Sequence, residues 1–325
     1  MGAALQEELD RLSFRAAVAK LRCAYEQDDG GHVVTAYDDA RRRSCLFRLL
    51  TGLLEPIYPV RGFLRSAADL FDPAISEDGL HGGCRRILDT LPLDWECQTS
   101  AADAAVLRFA SVIFYGNHPS LLTPFLAAAC VDREDLRFCS TSYVRRLIPS
   151  FSGYSYPLEV PLTRSWTEWK RGGARRVLAY RLISLLHAVP SPDEAKRVNL
   201  EALGRAADHL RCGGSIMIIP GGGGKRDRTW FSGIGILATD LIGNPGAEPV
   251  YVVATREENC SNRRMYATLM RGPIALVRRR LMSRRPVRMR FARPIPLREV
   301  VGENPTVAGA VDALRRHYEA AFVKS

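Results

Sequence analysis

The stretch FYGNHPSLLTPF, residues 114–125, sets His118 between an apolar run that reads as a strand and a second apolar run that reads as a helix. A neutral imidazole at such a turn is suited to take a proton from an attacking group, because its ordinary pKa of about 6.5 lies close to cellular pH. The plainer reading is a histidine that starts a helix or packs in the core. A second loop has a similar setting: the apolar run SIMIIP leads directly into GGGGKRDR, residues 221–228. Consecutive glycines can wrap backbone N–H groups around an anion, and Lys225, Arg226 and Arg228 add charge; the plainer reading here is a surface turn. A Walker loop does not fit, since Ile219 stands at its first glycine position and Arg226 follows Lys225 where Ser or Thr is needed. His187 and His209 lie in helical patterns, and His32, His81 and His317 carry no motif. No Ser-His-Asp order, GxSxG elbow or HExxH occurs.

Both loops need strands to carry them. Residues 3–28 read as an amphipathic helix that stops at DDGG, and residues 35–55 as another, within which SCLFRLLTGLL would suit either packing or a membrane interface. Short helices are expected over 62–92, after PIYPVRG. From about residue 93 the pattern changes to short β-rich runs separated by helices, with AVLRFASVIFYG, SLLTPFLAAAC and LRFCSTSYV in succession. Ser191, Pro192 and Glu194 then make a capped start, and Gly213 and Gly214 a stop, for a helix over 192–211. SIMIIP reads as a buried strand, WFSGIGILATDLIG as a helix start, EPVYVVAT and VRMRFARPIPL as strands, and 306–322 as the last helix. This alternation implies an α/β fold, a layered domain over 93–325 with a central, mostly buried sheet, preceded by a helical N-terminal extension over 1–92. In such sheets the loops after parallel strands gather at one edge, so His118 and the glycine run are expected to face one cleft.

Composition bounds the partners. The chain has 325 residues, 46% of them hydrophobic, enough to bury a core without disulfide or metal support. Its eight cysteines are scattered, with no CxxC pair and none at metal-ligand spacing beside a histidine. A reduced, cytoplasmic protein without structural zinc is expected. The N-terminal helix has no apolar h-region and Gly2 lacks the Ser or Thr of a myristoylation signal, so neither a secretory leader nor that lipid is expected. No run is long and apolar enough for a membrane span, which leaves contact at a membrane surface. The net charge of +11, concentrated in LVRRRLMSRRPVRMR (276–290), points to an anionic partner such as phospholipid headgroups, a CoA phosphate or an acidic carrier protein. With no zinc finger and no aromatic-interleaved RNA motif, nucleic acid is not expected.

Taken in order, NHPS at 117–120, the strand ending in Pro220, the basic glycine loop, FSGIGILA, PVYVVAT and VRMRFARPIPL resemble the glycerolipid acyltransferase superfamily, typified by 1-acylglycerol-3-phosphate acyltransferases. The resemblance spans roughly residues 93–325. It implies that the histidine of an NHxSxxD motif is general base toward the acceptor hydroxyl, with the aspartate orienting it. Asn117, His118 and Ser120 match that motif, whereas the aspartate position is Thr123. The family's Glu-Gly-Thr-Arg motif, which follows a proline and grips the acceptor's phosphate, is matched by Pro220 and Gly222. Gly221, Gly223 and Gly224 stand for its Glu, Thr and Arg, with Arg226 and Arg228 near enough in sequence to substitute.

The implied activity is transfer of an acyl group from acyl-CoA or acyl carrier protein, as thioester co-substrate, to a hydroxyl or amine. No bound cofactor or metal is implied. Attack would be direct in a ternary complex, since no nucleophile accompanies His118. Thr123 offers only a neutral hydrogen bond where a carboxylate would stabilise the imidazolium. Another acid such as Asp132, Glu134 or Asp227 comes into reach, or a more nucleophilic amine needs less help, or catalysis is lost. The rivals are a non-catalytic lipid- or acyl-carrier-binding module and a hydrolase that activates water with the same histidine.

Overall fold

Six consecutive buried residues, Ser111–Gly116, form the central strand β2, and their burial on both faces requires cover on each side of the sheet. Phe114 meets Phe291 edge-on, while Tyr115 turns the other way to Trp230, His317 and the carbonyl of Leu314. The computed structural model describes residues 2–27, 30–56, 59–159, 190–221, 230–269 and 285–323.

The described helices and strands follow in the order α1 (Gly2–Glu26), α2 (Gly30–Arg43), α3 (Cys45–Leu54), α4 (Val60–Ser66), a π turn (Ala67–Phe71), α5 (Asp72–Thr90), β1 (Trp95–Gln98), α6 (Ala101–Phe109), β2 (Ser111–Gly116) and α7 (Thr123–Cys130). Then come β3 (Leu136–Thr141), α8 (Ser142–Leu147), a 3-10 turn (Pro149–Tyr154), β4 (Ser155–Leu158), α9 (Pro192–Arg211), β5 (Ser215–Ile218), α10 (Gly233–Gly243) and β6 (Val250–Glu258). The chain closes with α11 (Asn262–Leu269), β7 (Val287–Phe291), β8 (Ile295–Pro296), α12 (Leu297–Val301) and α13 (Val307–Val323).

The fold is α/β, with a mostly parallel sheet in the order β1-β7-β6-β2-β5-β3-β4 and β8 paired to β6. Strand β2 is parallel to both neighbours, with Tyr115 opposite Ile218 of β5 and Gly116 opposite Thr255 of β6. The three central strands therefore deliver their following residues to one edge. Strands β7 and β8 run antiparallel to β6, and β1 runs parallel to β7.

The chain divides into two compact units. One comprises Met1–Pro73, Thr141–Ser152 and Leu158–Val198. Its core packs Leu21, Tyr25, Val33, Tyr37, Phe47 and Leu64, with Leu147 of α8 against them. The other comprises Ala74–Ser140, Gly153–Pro157 and Asn199–Ser325 and holds the sheet, so Ala74–Thr90, most of α5, belongs with the sheet unit.

Two local expectations are corrected. The single helix expected over 35–55 is two, because the buried hydroxyl of Ser44 accepts from Phe47 N and starts α3 afresh. The β-rich reading of AVLRFA fails because Ser100 caps Asp103 N and turns Ala101–Phe109 into α6. The helix expected over 192–211 forms over Pro192–Arg211, and Ser191 Oγ accepts from Glu194 N at 3.3 Å. The basic run 276–284 and residue His187 lie outside the described residues.

Candidate active site

The turn carrying His118 begins where β2 and β6 approach too closely for any side chain. A Cβ on Gly116 would lie 1.8 Å from the carbonyl oxygen of Thr255, so only glycine fits. Next, the Asn117 amide pairs with the backbone of Glu257: Oδ1 accepts from Glu257 N at 2.8 Å and Nδ2 donates to Glu257 O at 3.1 Å. Two further bonds hold the turn to the start of α11, Asn262 N donating to Pro119 O at 3.1 Å and Leu121 N donating to Asn262 Oδ1 at 3.0 Å. The NHPS segment is thus fixed by the residues that follow β6.

His118 is half-buried. Its Nδ1 is buried and has no hydrogen-bond partner among the described residues. Loss of solvent around the ring pushes its pKa down to about 4, because burial penalises the charged form and no described neighbour offsets that cost. At neutral pH the imidazole is therefore the free base.

Glu257, 3% exposed, is the acid of this turn. Its Oε1 accepts from Ser120 Oγ at 2.6 Å, and its Oε2 meets the Thr123 hydroxyl. Thr123 Oγ1 also donates to the Ser120 carbonyl at 2.8 Å, and Ser120 Oγ accepts from Leu122 N at 3.1 Å. Burial raises the carboxyl's pKa above its ordinary value, against the lowering effect of the hydrogen bonds from Ser120, Thr123 and Cys260. Burial likewise pushes the Cys260 thiol up to about 12. Thr123, fully buried, holds this carboxyl rather than facing open space.

Two of the acids expected to stand in for the missing aspartate, Glu134 and Asp132, are engaged elsewhere. Glu134 accepts from Leu80 N at 2.9 Å and His81 N at 3.1 Å, restarting α5 after Gly79 turns to φ 72°. Asp132 is half-exposed and pairs with Arg108 at 2.8 Å. Asp227 lies outside the described residues. Glu257 belongs to no motif, and the polar run Thr255–Glu258 shows no apolar alternation in the sequence that would single it out; only the strand's burial does, with Glu257 buried beside the part-buried Arg256 and Glu258.

Of the second loop, Pro220 is buried and its carbonyl accepts from Phe231 N at 2.9 Å, which closes the loop at its base. Pro220 and Gly221 leave β5 at the same sheet edge as His118 leaves β2. Gly222, Gly223, Gly224, Lys225, Arg226 and Arg228 lie outside the described residues. The other described histidines in the sheet unit have structural partners: His81 Nδ1 meets Ala128 O at 3.0 Å, His209 Nε2 meets Asp135 O at 2.7 Å, and His317 Nδ1 meets the Tyr115 hydroxyl. A cavity of about 550 Å³ opens beside Cys97, Cys130, His81 and Arg85; Asp132 lines it, and His118, Ser120 and Thr123 do not.

No family model and no curated protein matches the sequence. Among solved structures, the chain is similar to the 1-acyl-sn-glycerophosphate (LPA) acyltransferase PlsC from Thermotoga maritima. The identity is 14%, over 85% of this chain and 94% of that one, with a TM-score of 0.41.

Proposed function

We propose that this protein transfers an acyl group from acyl-CoA or an acyl-carrier thioester to a hydroxyl or amine, with His118 as the base. The observation that carries the reading is a free-base imidazole at the end of a central parallel strand, on a turn fixed on both sides by Glu257. The acceptor O–H or N–H would give its proton to the ring as its lone pair attacks the thioester carbonyl, and the thiolate of the donor would leave. A thioester carbonyl is reactive enough to be attacked without a metal. The glycine loop beyond Pro220, with Lys225, Arg226 and Arg228, would take the anionic portion of donor or acceptor.

Membrane contact would fall on α3. Leu46, Leu49 and Leu53 are exposed along it, the last two at 59% and 65%, and Arg42, Arg43 and Arg48 are exposed beside them. Apolar side chains flanked by arginines suit an anionic lipid surface. No described helix is long and apolar enough to cross a membrane.

One observation favours the second reading, a lipid- or carrier-binding module without turnover: among the described residues Nδ1 of His118 has no hydrogen-bond partner, an acid included. The test is to offer acyl-CoA and acyl carrier protein with alcohol, lysophospholipid and amine acceptors, following thioester loss and product mass. A product mass equal to acceptor plus acyl group supports transfer, free fatty acid alone supports hydrolysis, and binding of the thioester without consumption supports the module.

A further inference from the structure

We infer that Glu257 is a neutral carboxylic acid at working pH, and that in this form it is the positioning residue of the His118 turn, in the place of the aspartate that Thr123 displaces. The inference rests on the acyltransferase reading for its catalytic consequence, and on the hydrogen bonds and charges around the carboxyl for the protonation state.

Hydrogen atoms decide the protonation. Ser120 has one hydroxyl hydrogen and gives it to Oε1 at 2.6 Å. Thr123 also has one, and two oxygens claim it: the Ser120 carbonyl at 2.8 Å and Glu257 Oε2. If the carboxyl were ionised and took this hydrogen, Thr123 Oγ1 and the Ser120 carbonyl would face each other at 2.8 Å with no hydrogen between them, a repulsive contact. A proton on Oε2 removes the conflict. Oε2–H then donates to Thr123 Oγ1, Thr123 donates to the Ser120 carbonyl, and Oε1 receives from Ser120.

Charge gives the same answer. The titratable neighbour that bonds the carboxyl is the Cys260 thiol, itself held neutral by burial. Arg256, Arg288 and Arg290, on β6 and β7, turn to Glu258, with Arg290 at 3.2 Å. On α11, Arg264 donates to the carbonyl of Asn259 at 2.5 Å. Asn117, which could have offered an N–H, bonds the backbone of Glu257 instead. Among the described residues no cation and no amide N–H meets the carboxyl, so an anion here would be buried with hydroxyl and thiol donors alone, an expensive state that a proton avoids.

The positioning follows from where Glu257 holds the turn. Its backbone fixes Asn117 on one side of His118, and its carboxyl fixes Ser120 and Thr123 on the other. A neutral acid lends no charge to an imidazolium, which agrees with a ring whose proton affinity is lowered and whose Nδ1 has no partner among the described residues.

Two measurements need no turnover, so they judge the carboxyl even if acyl transfer fails altogether. At neutral pH the infrared difference between wild type and Glu257→Gln should contain the carbonyl stretch of a protonated carboxylic acid; carboxylate bands there would overturn the inference. A folded pKa above the unfolded one means stability that is full below the unfolded pKa and lost as pH rises through the folded pKa. The melting temperature of wild type relative to Glu257→Gln should therefore fall as pH rises from about 4.5, and a difference that rises with pH would overturn it. The catalytic part is read from kcat. Glu257→Ala should lose about a hundredfold in kcat with KM within about threefold, and Glu257→Gln, which can donate and accept as the protonated acid does, should keep at least about tenfold more than Ala. Should Ala not fold, Glu257→Asp, which keeps the acid but shortens its reach, replaces it and should fall below Gln. Gln as damaging as Ala, or Asp more active than Gln, would overturn the positioning role of a neutral acid.

Discussion

Asn117 and Glu257 hold each other at two points: Glu257 N donates to Asn117 Oδ1 at 2.8 Å, and Asn117 Nδ2 donates to Glu257 O at 3.1 Å. The side chain thereby completes the sheet edge just past the last β2–β6 pair, Gly116 with Thr255. Asn117→Ala leaves a partly buried donor and acceptor unmatched and should cost about 2–3 kcal/mol, since each orphaned group costs on the order of 1–3 kcal/mol. Denaturant unfolding measures it. Asn117→Asp should be nearly as harmful, because the carboxylate cannot donate to Glu257 O.

Gly116 tolerates no larger residue. With Thr255 O at 1.8 Å and Thr255 Oγ1 at 2.6 Å from a Cβ built there, Gly116→Ala must part β2 from β6. The expected loss is about 3 kcal/mol, at the upper end of overpacking costs. Thermal unfolding checks this, and soluble protein with an unchanged melting temperature would contradict the close approach.

The pH dependence follows from the free-base ring. His118 has its pKa lowered to about 4, so the proton-accepting form persists on the acid side of neutrality. The limb of kcat/KM that reports the free enzyme's base should stay level from neutral pH down to about 5, instead of falling near the ordinary value of about 6.5. A rate profile against pH, with enzyme stability checked at each point, measures it.

Much of the fold was legible in the sequence, because burial on both sheet faces writes unbroken apolar runs such as SVIFYG and SIMI. The capped helix over Pro192–Arg211 was legible from Ser191 and the glycines that end it. The break at Ser44 was hidden inside a continuous helical period, because a serine that caps looks the same as one exposed on a helix. At the candidate site, the NHPS residues could be found from their spacing. Glu257 could not be joined to Thr123 that way, since it comes from another strand and the contact exists only through β2–β6 register.

Thr123 also has a specific reason not to be aspartate. Thr123→Asp would set a second carboxyl against Glu257, where two buried acids share one proton and the pair resists ionisation. The variant should melt lower than wild type and transfer no faster, whereas Thr123→Ala should cost about tenfold in rate, or about 1.4 kcal/mol. Restored or enhanced activity in Thr123→Asp would mean that the site had lost an acid which Glu257 does not replace.

The central claim, that His118 is the base for acyl transfer, is tested most directly by product formation in His118→Ala. Wild type and variant are given the same thioester and acceptor, and the acylated product is quantified by mass. The expected result is a loss of at least about a thousandfold in kcat/KM with folding unchanged, in the range that follows removal of a general base. Equal product formation by the two proteins would contradict the assignment.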